Sequence, residues 1–255
     1  MNLVAKSVAT LASAALLSAG AAGVADAHPA PHRAPHPASH AASHSASHHG
    51  VHARHHGKPV DKLAGPRKAA TQAISAQYRS VQRLVTAAAT FTGAHAADLG
   101  TALSADLAAI GADRTSVAGA TSVKALNALK AAALGSRQVA GTQFSTVQSV
   151  DGLAAQEPGL TTQIADLQSQ LDALAASGTD VTAAQSALDA IQQSLTSASG
   201  ELDGLAAQAL ALLPTAAKTQ VHTTADAVAA ALPGLSDALA GVTSNLGAFS
   251  ATYGL

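Results

Sequence analysis

Residues 181–212, VTAAQSALDAIQQSLTSASGELDGLAAQALAL, carry the clearest apolar periodicity in the chain. The apolar residues follow one another at alternating steps of three and four, at Val181, Ala184, Leu188, Ile191, Leu195, Ala198, Leu202, Leu205, Ala209 and Leu212. This spacing predicts one long α-helix with a coiled-coil-like seam along one side. At about 1.5 Å per residue the helix would be ~48 Å long, with Gly200 and Gly204 as positions where it could bend.

The segment before this stretch is predicted to form the other half of a helical hairpin. Its apolar positions show the same alternation, at Leu160, Ile164, Leu167, Leu171 and Leu174. In the connection Ser177-Gly178-Thr179-Asp180, the glycine suits a helix end and Thr179 or Asp180 suits the next N-cap. Short connections favour packing of the seam against its own hairpin partner, and dimerisation through residues 181–212 is the alternative.

Further helices are predicted on both sides of the hairpin. Pro66 can open a helix, and a longer helix from Val123 is expected to be interrupted by Gly135 and Gly141. Three prolines are expected to stand in first turns and separate consecutive helices: Pro158, Pro214 and Pro233. Three more apolar stripes lie outside the hairpin and outside the long helix that begins at Val123. Their positions are Ala70, Ile74, Tyr78, Val81, Leu84, Ala88 and Phe91 in the first, Leu99, Leu103, Leu107 and Ile110 in the second, and Leu235, Leu239, Val242, Leu246 and Phe249 in the third.

The fold class predicted from these patterns is all-α. Period-two alternation between turn signals, which would predict strands, is not found in the sequence. We expect six or seven helices in an antiparallel bundle that contains the coiled-coil-like hairpin. With many alanines, three Phe and two Tyr, the core should be thin, so a compact globule, an elongated bundle and a partner-dependent assembly all remain open.

The first 27 residues have the three parts of a secretory signal. Lys6 is the positive charge, the run from Ser7 to Val24 is apolar, and Ala25-Asp26-Ala27 is a small-x-small cleavage site. We therefore predict a signal peptide over residues 1–27 and a secreted, extracellular protein, free or associated with the cell envelope. An uncleaved anchor is the alternative. A second apolar run of about 18 residues is not found, so no membrane association is expected after cleavage.

The mature chain is predicted to have two parts. Residues 28–65 consist mainly of His, Pro, Ala, Ser, Gly and basic residues, and too few large apolar groups are present to offset the entropy of ordering. We expect this arm to be disordered. Residues 66–255, rich in Ala, Leu, Val, Gln and Thr, are expected to form the helical domain.

The two parts differ in charge. The fixed charges of residues 28–68 are Arg33, Arg54, Lys58, Lys62, Arg67 and Lys68 against Asp61, whereas after Arg137 ten carboxylates face a single basic residue, Lys218. This asymmetry could favour head-to-tail association or docking of the arm on its own helices; the alternative is that both surfaces serve solubility. Nucleic-acid binding is not expected, because the basic segment lacks interleaved aromatics and the helical region is acidic.

Ten of the twelve histidines lie between His28 and His56, with one at every fourth position. Four prolines between Pro29 and Pro37 oppose a helix in the first third, so only the later part can gather imidazoles around one ion. The candidate metal ligands are His40, His44, His48, His49, His52, His55 and His56. Imidazole donors without thiolates favour Zn(II), Ni(II) or Cu(II), and a solvated spacer is the alternative. His95 and His222, outside the tract, are expected to be ordinary surface or interface residues.

The sequence favours a protein that is not an enzyme. The patterns G-x-S-x-G, H-E-x-x-H and G-x-x-x-x-G-K do not occur, so no catalytic residue and no cofactor-binding residue is predicted. The carboxylates are spread singly over faces expected to be polar. The chain also has no cysteine, which excludes disulfides and thiolate metal sites within it.

The segments QSQLDAL, residues 168–174, and DVTAAQ, residues 180–185, resemble helical hairpins of Ala-rich exported proteins of high-GC Gram-positive bacteria. The resemblance covers about 40 residues. It implies an exported location and a helical architecture, and it implies no activity, substrate or site.

Two functions are compatible with these observations. The first is an exported, non-enzymatic helical protein that acts by interaction or as a structural component, with a second copy or an envelope protein bound through the helix seam. The second is an extracytoplasmic metal-binding or metal-buffering protein that uses the histidine-rich arm for Zn, Ni or Cu.

Overall fold

The computed structural model describes residues 61–255, which belong to one compact unit of the chain. That part of the chain consists of helices and their connections, without strands, which confirms the predicted all-α class. The helices are α1 (Ala64–Ala88), α2 (Ala96–Ser116), α3 (Val123–Ala154), α4 (Glu157–Ala176), α5 (Thr182–Leu210) and α6 (Lys218–Tyr253). The predicted signal peptide and nearly all of the predicted arm lie outside the described residues.

Contacts between distant residues show which helices run antiparallel. The Arg114 guanidinium of α2 lies 4.8 Å from the centre of the Tyr78 ring of α1, while Arg67, near the start of α1, donates to the carbonyl of Ala120 after α2 ends. The start of α1 therefore lies beside the end of α2. Ser136 and Gln143 of α3 donate to the carbonyls of Pro214 and Leu212, at 3.1 and 2.9 Å. The connection that follows α5 therefore lies beside the middle of α3.

The helices α4 and α5 form the predicted hairpin. Gln168 and Gln185 exchange amide hydrogen bonds at 2.8 Å, and Ser199 donates to Glu157 at 2.6 Å. Residues early in α4 thus face residues late in α5, as an antiparallel pair requires. All the seam positions from Ala184 to Leu212 are buried and Val181 is half-buried, so the seam is covered by its own chain.

The connection within the hairpin has its glycine at the end of α4 as predicted, whereas the N-cap of α5 is Val181 and not Thr179 or Asp180. Gly178 has a φ of +87°, a left-handed conformation that L-residues with side chains rarely adopt. The N–H groups of Gly178 and Thr179 donate to the carbonyls of Ala175 and Leu174, and these two bonds end α4. Asp180 then accepts the N–H of Thr182 at 3.0 Å, and this bond together with the Thr182 side chain lowers the pKa of the exposed Asp180 carboxyl.

Two predicted interruptions are wrong. The helix α3 runs without a break through Gly135 and Gly141, because a glycine in a helix costs only about 1 kcal/mol and buried neighbours such as Ala133 and Ala140 offset this. Pro233 lies inside α6 instead of starting a new helix. Proline leaves the Ala229 carbonyl without its helical donor, and because both residues are exposed, water can satisfy that carbonyl. Pro158 stands in the first turn of α4, as predicted, whereas Pro214 lies in the connection between α5 and α6 and not in a first turn.

The core extends through all six helices and is built from Leu, Ile, Val and Ala, with Phe249 as its single fully buried aromatic among the described residues. Alanines make up a large part of the buried residues, in keeping with the composition. An 18-residue window of α6 reaches a mean hydropathy of 1.2, enough by length and composition for a membrane span. Seven apolar residues of α6 from Val221 to Phe249 are buried in the core, although only 22% of that window is buried.

Candidate functional site

A polar cleft with a volume of about 1040 Å³ opens where four parts of the chain meet. Its walls come from the connection between α1 and α2, the end of α3, the start of α4 and the middle of α5. The ionisable side chains along these walls are Asp151, Glu157 and Asp203, and His95 lies beside them. The cleft is therefore lined by three carboxylates, two of which, Asp151 and Asp203, contact the imidazole of His95.

His95 is the residue before the first turn of α2, and its ring reaches across to α3. Nδ1 lies 2.7 Å from Oδ1 of Asp151, and both side chains are largely buried, at 14% and 6% exposure. Because a carboxylate accepts, Nδ1 carries the hydrogen of this bond. The other ring nitrogen, Nε2, lies 3.5 Å from Oδ1 of Asp203, whose side chain is 67% exposed. One imidazole is thus held between a buried and an exposed carboxylate.

The close approach of Gly93 makes room for Asp151. A Cβ added at Gly93 would overlap Oδ2 of Asp151, so this position in the connection before α2 has no space for a side chain. Oδ2 is itself buried and has no hydrogen-bond partner among the described residues. The sequence therefore places a carboxylate at the end of α3 with one oxygen bound to His95 and the other against bare backbone.

The opposite wall of the cleft is formed by α4 and α5. Glu157, in the first turn of α4, accepts a 2.6 Å hydrogen bond from Ser199 of α5. The Ser199 hydroxyl is directed to a carboxylate, which differs from the serine–histidine pairing of an activated nucleophile. Asp203 lies one helical turn further along α5, so Glu157, Ser199 and Asp203 share this wall.

The excess of carboxylates suits the cleft to a positively charged ligand. Within residues 61–255, no group of three or more His, Asp or Glu side chains is already arranged around one point as a metal site. The arrangement that is present is a histidine oriented by a buried carboxylate, with its second nitrogen directed towards another carboxylate. Carboxylate–histidine pairs of this kind orient the ligands of many metal sites.

The predicted metal ligands of the arm, His40, His44, His48, His49, His52, His55 and His56, lie outside the described residues. Of the two remaining histidines, His95 has the position just described, at an interface between α2, α3 and α5. His222 of α6 is exposed and borders a second cleft, of about 340 Å³, between α1, α3 and α6.

The expectation that all carboxylates lie on polar faces is wrong for Asp106 and Asp151. Asp106 of α2 is fully buried, neither of its carboxylate oxygens is hydrogen-bonded within residues 61–255, and burial raises its pKa to about 7. The signal that could have identified it is its position: Leu99, Leu103, Asp106 and Ile110 form one stripe at steps of four, three and four. Asp151 likewise stands one turn after the buried Val147.

Comparison with known proteins adds no assignment: no family model, no curated protein and no solved structure matches this chain. The functional argument therefore rests on the chain's own residues.

Proposed function

We propose that this protein is an exported, non-enzymatic helical protein that acts by binding a positively charged partner through α4, α5 and α6. The observation that supports this proposal is the charge of that surface. Residues 157–255 contain eight exposed carboxylates and one basic residue, Lys218. The carboxylates are Asp166, Asp172, Asp180, Asp189, Glu201, Asp203, Asp226 and Asp237.

An acidic surface of this kind attracts basic partners over a distance of about 10 Å at moderate salt and discriminates against acidic ones. The apolar seam of α5 is covered by its own chain, so the partner surface we propose is the polar side of these helices. A second copy of this chain and an envelope protein are both compatible with it, since each can present basic residues.

The test uses an oligolysine peptide as a defined cationic probe and compares two variants of equal charge. The first, Asp226→Asn with Asp237→Asn, removes two carboxylates from α6, and the second, Asp98→Asn with Asp113→Asn, removes two from α2. We expect the α6 variant to bind the peptide about fivefold more weakly and the α2 variant to differ little, with both effects reduced by salt. Equal weakening in the two variants, or no binding of the peptide, would contradict the proposal.

A second candidate function, metal binding or buffering by the arm, is favoured by the concentration of ten of the twelve histidines between His28 and His56. The test is calorimetric titration of the full chain with Zn(II), Ni(II) and Cu(II), beside a variant in which His40, His44, His48, His49, His52, His55 and His56 are replaced by Gln. Tight binding that is lost in the variant supports this function. Binding no stronger than that of an unstructured peptide with as many histidines would contradict it.

A further inference from the structure

We infer that the polar cleft is a divalent-cation site of the zinc class, in which Nε2 of His95 and a carboxylate oxygen of Asp203 are ligands and Asp151 positions the imidazole. This site is separate from the histidine-rich arm and does not depend on either function proposed above. Three features support such a site: the orientation of the ring, the spacing of the two donors, and the charge around them.

The orientation of His95 is the first part. Its Nδ1–H donates to Asp151 at 2.7 Å, which leaves the lone pair of Nε2 available on the side of Asp203, a residue that lines the cleft. A metal-bound histidine usually donates its other ring N–H to a carboxylate or carbonyl, which fixes the ring and makes the coordinating nitrogen more basic. Asp151, with a side chain only 6% exposed, is held firmly enough to serve in this way.

The spacing of the two donors is the second part. Nε2 of His95 and Oδ1 of Asp203 are 3.5 Å apart. Two ligands at about 2.0–2.1 Å from a tetrahedral zinc ion lie ~3.4 Å from each other. The two atoms therefore stand at the separation of one edge of a zinc coordination tetrahedron before any side chain moves.

The surrounding charge is the third part. Asp151 has a buried oxygen, Oδ2, without a hydrogen-bond partner among the described residues, and a buried carboxylate of this kind gains from a nearby positive charge. Glu157 lines the same cleft, where it accepts from Ser199, and it adds to the negative charge that favours a cation. Water would complete the coordination. One nitrogen donor together with carboxylates favours Zn(II), Ni(II) or Cu(II) over Mg(II), which prefers oxygen alone.

The competing explanation is an imidazolium bridge, in which a protonated His95 donates to both Asp151 and Asp203 and no metal ion is held. The two explanations differ in how the protein responds to zinc. In the metal site, adding zinc engages Nε2, and removing Asp203 weakens zinc binding. In the imidazolium bridge, zinc binds no better to the cleft than to any exposed carboxylate.

The experiment uses the full chain with the ten histidines from His28 to His56 replaced by Gln, so that the arm does not dominate the titration. Zinc binding is measured by calorimetry, and Co(II) is used as a spectroscopic probe of coordination. On this background, His95→Gln and Asp203→Asn are the ligand variants, Asp151→Asn is the positioning variant, and Glu201→Gln is the matched control. Glu201 is an exposed carboxylate of α5 two residues from Asp203.

We expect one zinc ion to bind per chain, and His95→Gln and Asp203→Asn each to weaken binding at least tenfold. Asp151→Asn should weaken it about tenfold while the Co(II) spectrum keeps its nitrogen ligand, and Glu201→Gln should change affinity less than twofold. Because Asp203 is largely exposed, its variant keeps the test valid if the His95 variant unfolds. Equal affinities in the Asp203 and Glu201 variants, or no stoichiometric binding, would overturn the inference.

Discussion

The α4–α5 hairpin and the region formed by α1, α2 and α3 differ in whether their polar side chains are buried. In the hairpin, the buried positions are apolar, and Asp166, Asp172 and Asp189 are exposed. In the three-helix region, Asp106, Gln143 and Asp151 are buried. Buried polar groups cost stability unless they are fully hydrogen-bonded, so the three-helix region carries a cost that the hairpin does not.

The two buried carboxylates of the three-helix region have different surroundings. Asp151 is bound to His95 and borders a cleft, whereas Asp106 has no partner among the described residues and lies fully within the core. The first carboxylate has a place in a site that can take a cation. The second contributes a pH-dependent change in stability, and the largest expected effect follows from it.

Asp106→Asn should remove a strong pH dependence of folding. With its pKa raised from 3.8 to about 7, Asp106 binds a proton in the folded protein but not in the unfolded chain between these values. The stabilisation of the folded protein by the proton on Asp106 is therefore fully present below pH 3.8 and is lost as pH rises to about 7. Relative to Asp106→Asn, the wild-type free energy of unfolding should fall by about 4 kcal/mol over this range.

The measurement is urea unfolding of both proteins at intervals from pH 4 to pH 8, and Asp189→Asn in the hairpin is the control. Asp189 is exposed, so its variant should follow the wild type. If the stability of the wild type stays parallel to that of Asp106→Asn at all pH values, burial does not raise the pKa of Asp106 and the prediction is wrong.

Leu188→Ala in the hairpin should destabilise the protein by about 3 kcal/mol. Leu188 is 1% exposed in the seam of α5, and truncation removes buried apolar area and leaves a cavity. Chemical denaturation measures the change, and the neighbouring Asp189→Ala should alter stability by less than about 0.5 kcal/mol. If the two substitutions had similar effects, the seam would not be the packed side of the hairpin.

Gly93→Ala should destabilise the protein by about 2 kcal/mol, because the new Cβ has to displace Asp151 and, with it, the bond to His95. Gly100→Ala in α2 is the matched control. A Cβ there meets no atom within 4 Å, and alanine favours helix, so this variant should be slightly more stable. Thermal unfolding compares the two, and a neutral Gly93→Ala would mean that Asp151 is not held against the backbone.

Gly178→Ala should cost about 1 kcal/mol, the smallest of these effects, because only the turn of the hairpin is strained. Its φ of +87° is unfavourable for alanine although the added Cβ would meet nothing within 4 Å. The effect should appear in the free energy of unfolding from denaturant titration. Gly159→Ala, in the first turn of α4 with similarly open surroundings and without a positive φ, should not be destabilising.

The regular parts of the fold could be predicted from the sequence because their signals are local. Steps of three and four identify the seam of α5, and Gly178 with Asp180 marks the turn before it, since neither depends on distant residues. Pro233 and the glycines of α3 were predicted wrongly, because exposure at Pro233 and burial around Gly135 and Gly141 decide the outcome. Both depend on how the helices pack.

The cleft could not be predicted in the same way. His95 and Asp151 are separated by 56 residues, and their contact requires α2 and α3 to pack in one register with Gly93 beside them. The sequence indicated only a single histidine near a helix start. The burial of Asp106 is easier to predict, because this residue interrupts an apolar stripe. One carboxylate at an apolar position does not, however, show whether a partner residue binds it.

The most direct test of the cleft as a cation site is the ¹⁵N resonance of the His95 imidazole during zinc titration of the full chain whose arm histidines are replaced by Gln. His222 is then the internal reference, since it is the only other histidine of that chain. We predict that zinc shifts the Nε2 resonance of His95 at one equivalent, leaves its Nδ1–H bonded to Asp151, and leaves His222 unchanged. A His95 resonance that does not respond to zinc, or that responds only together with His222, would contradict the assignment.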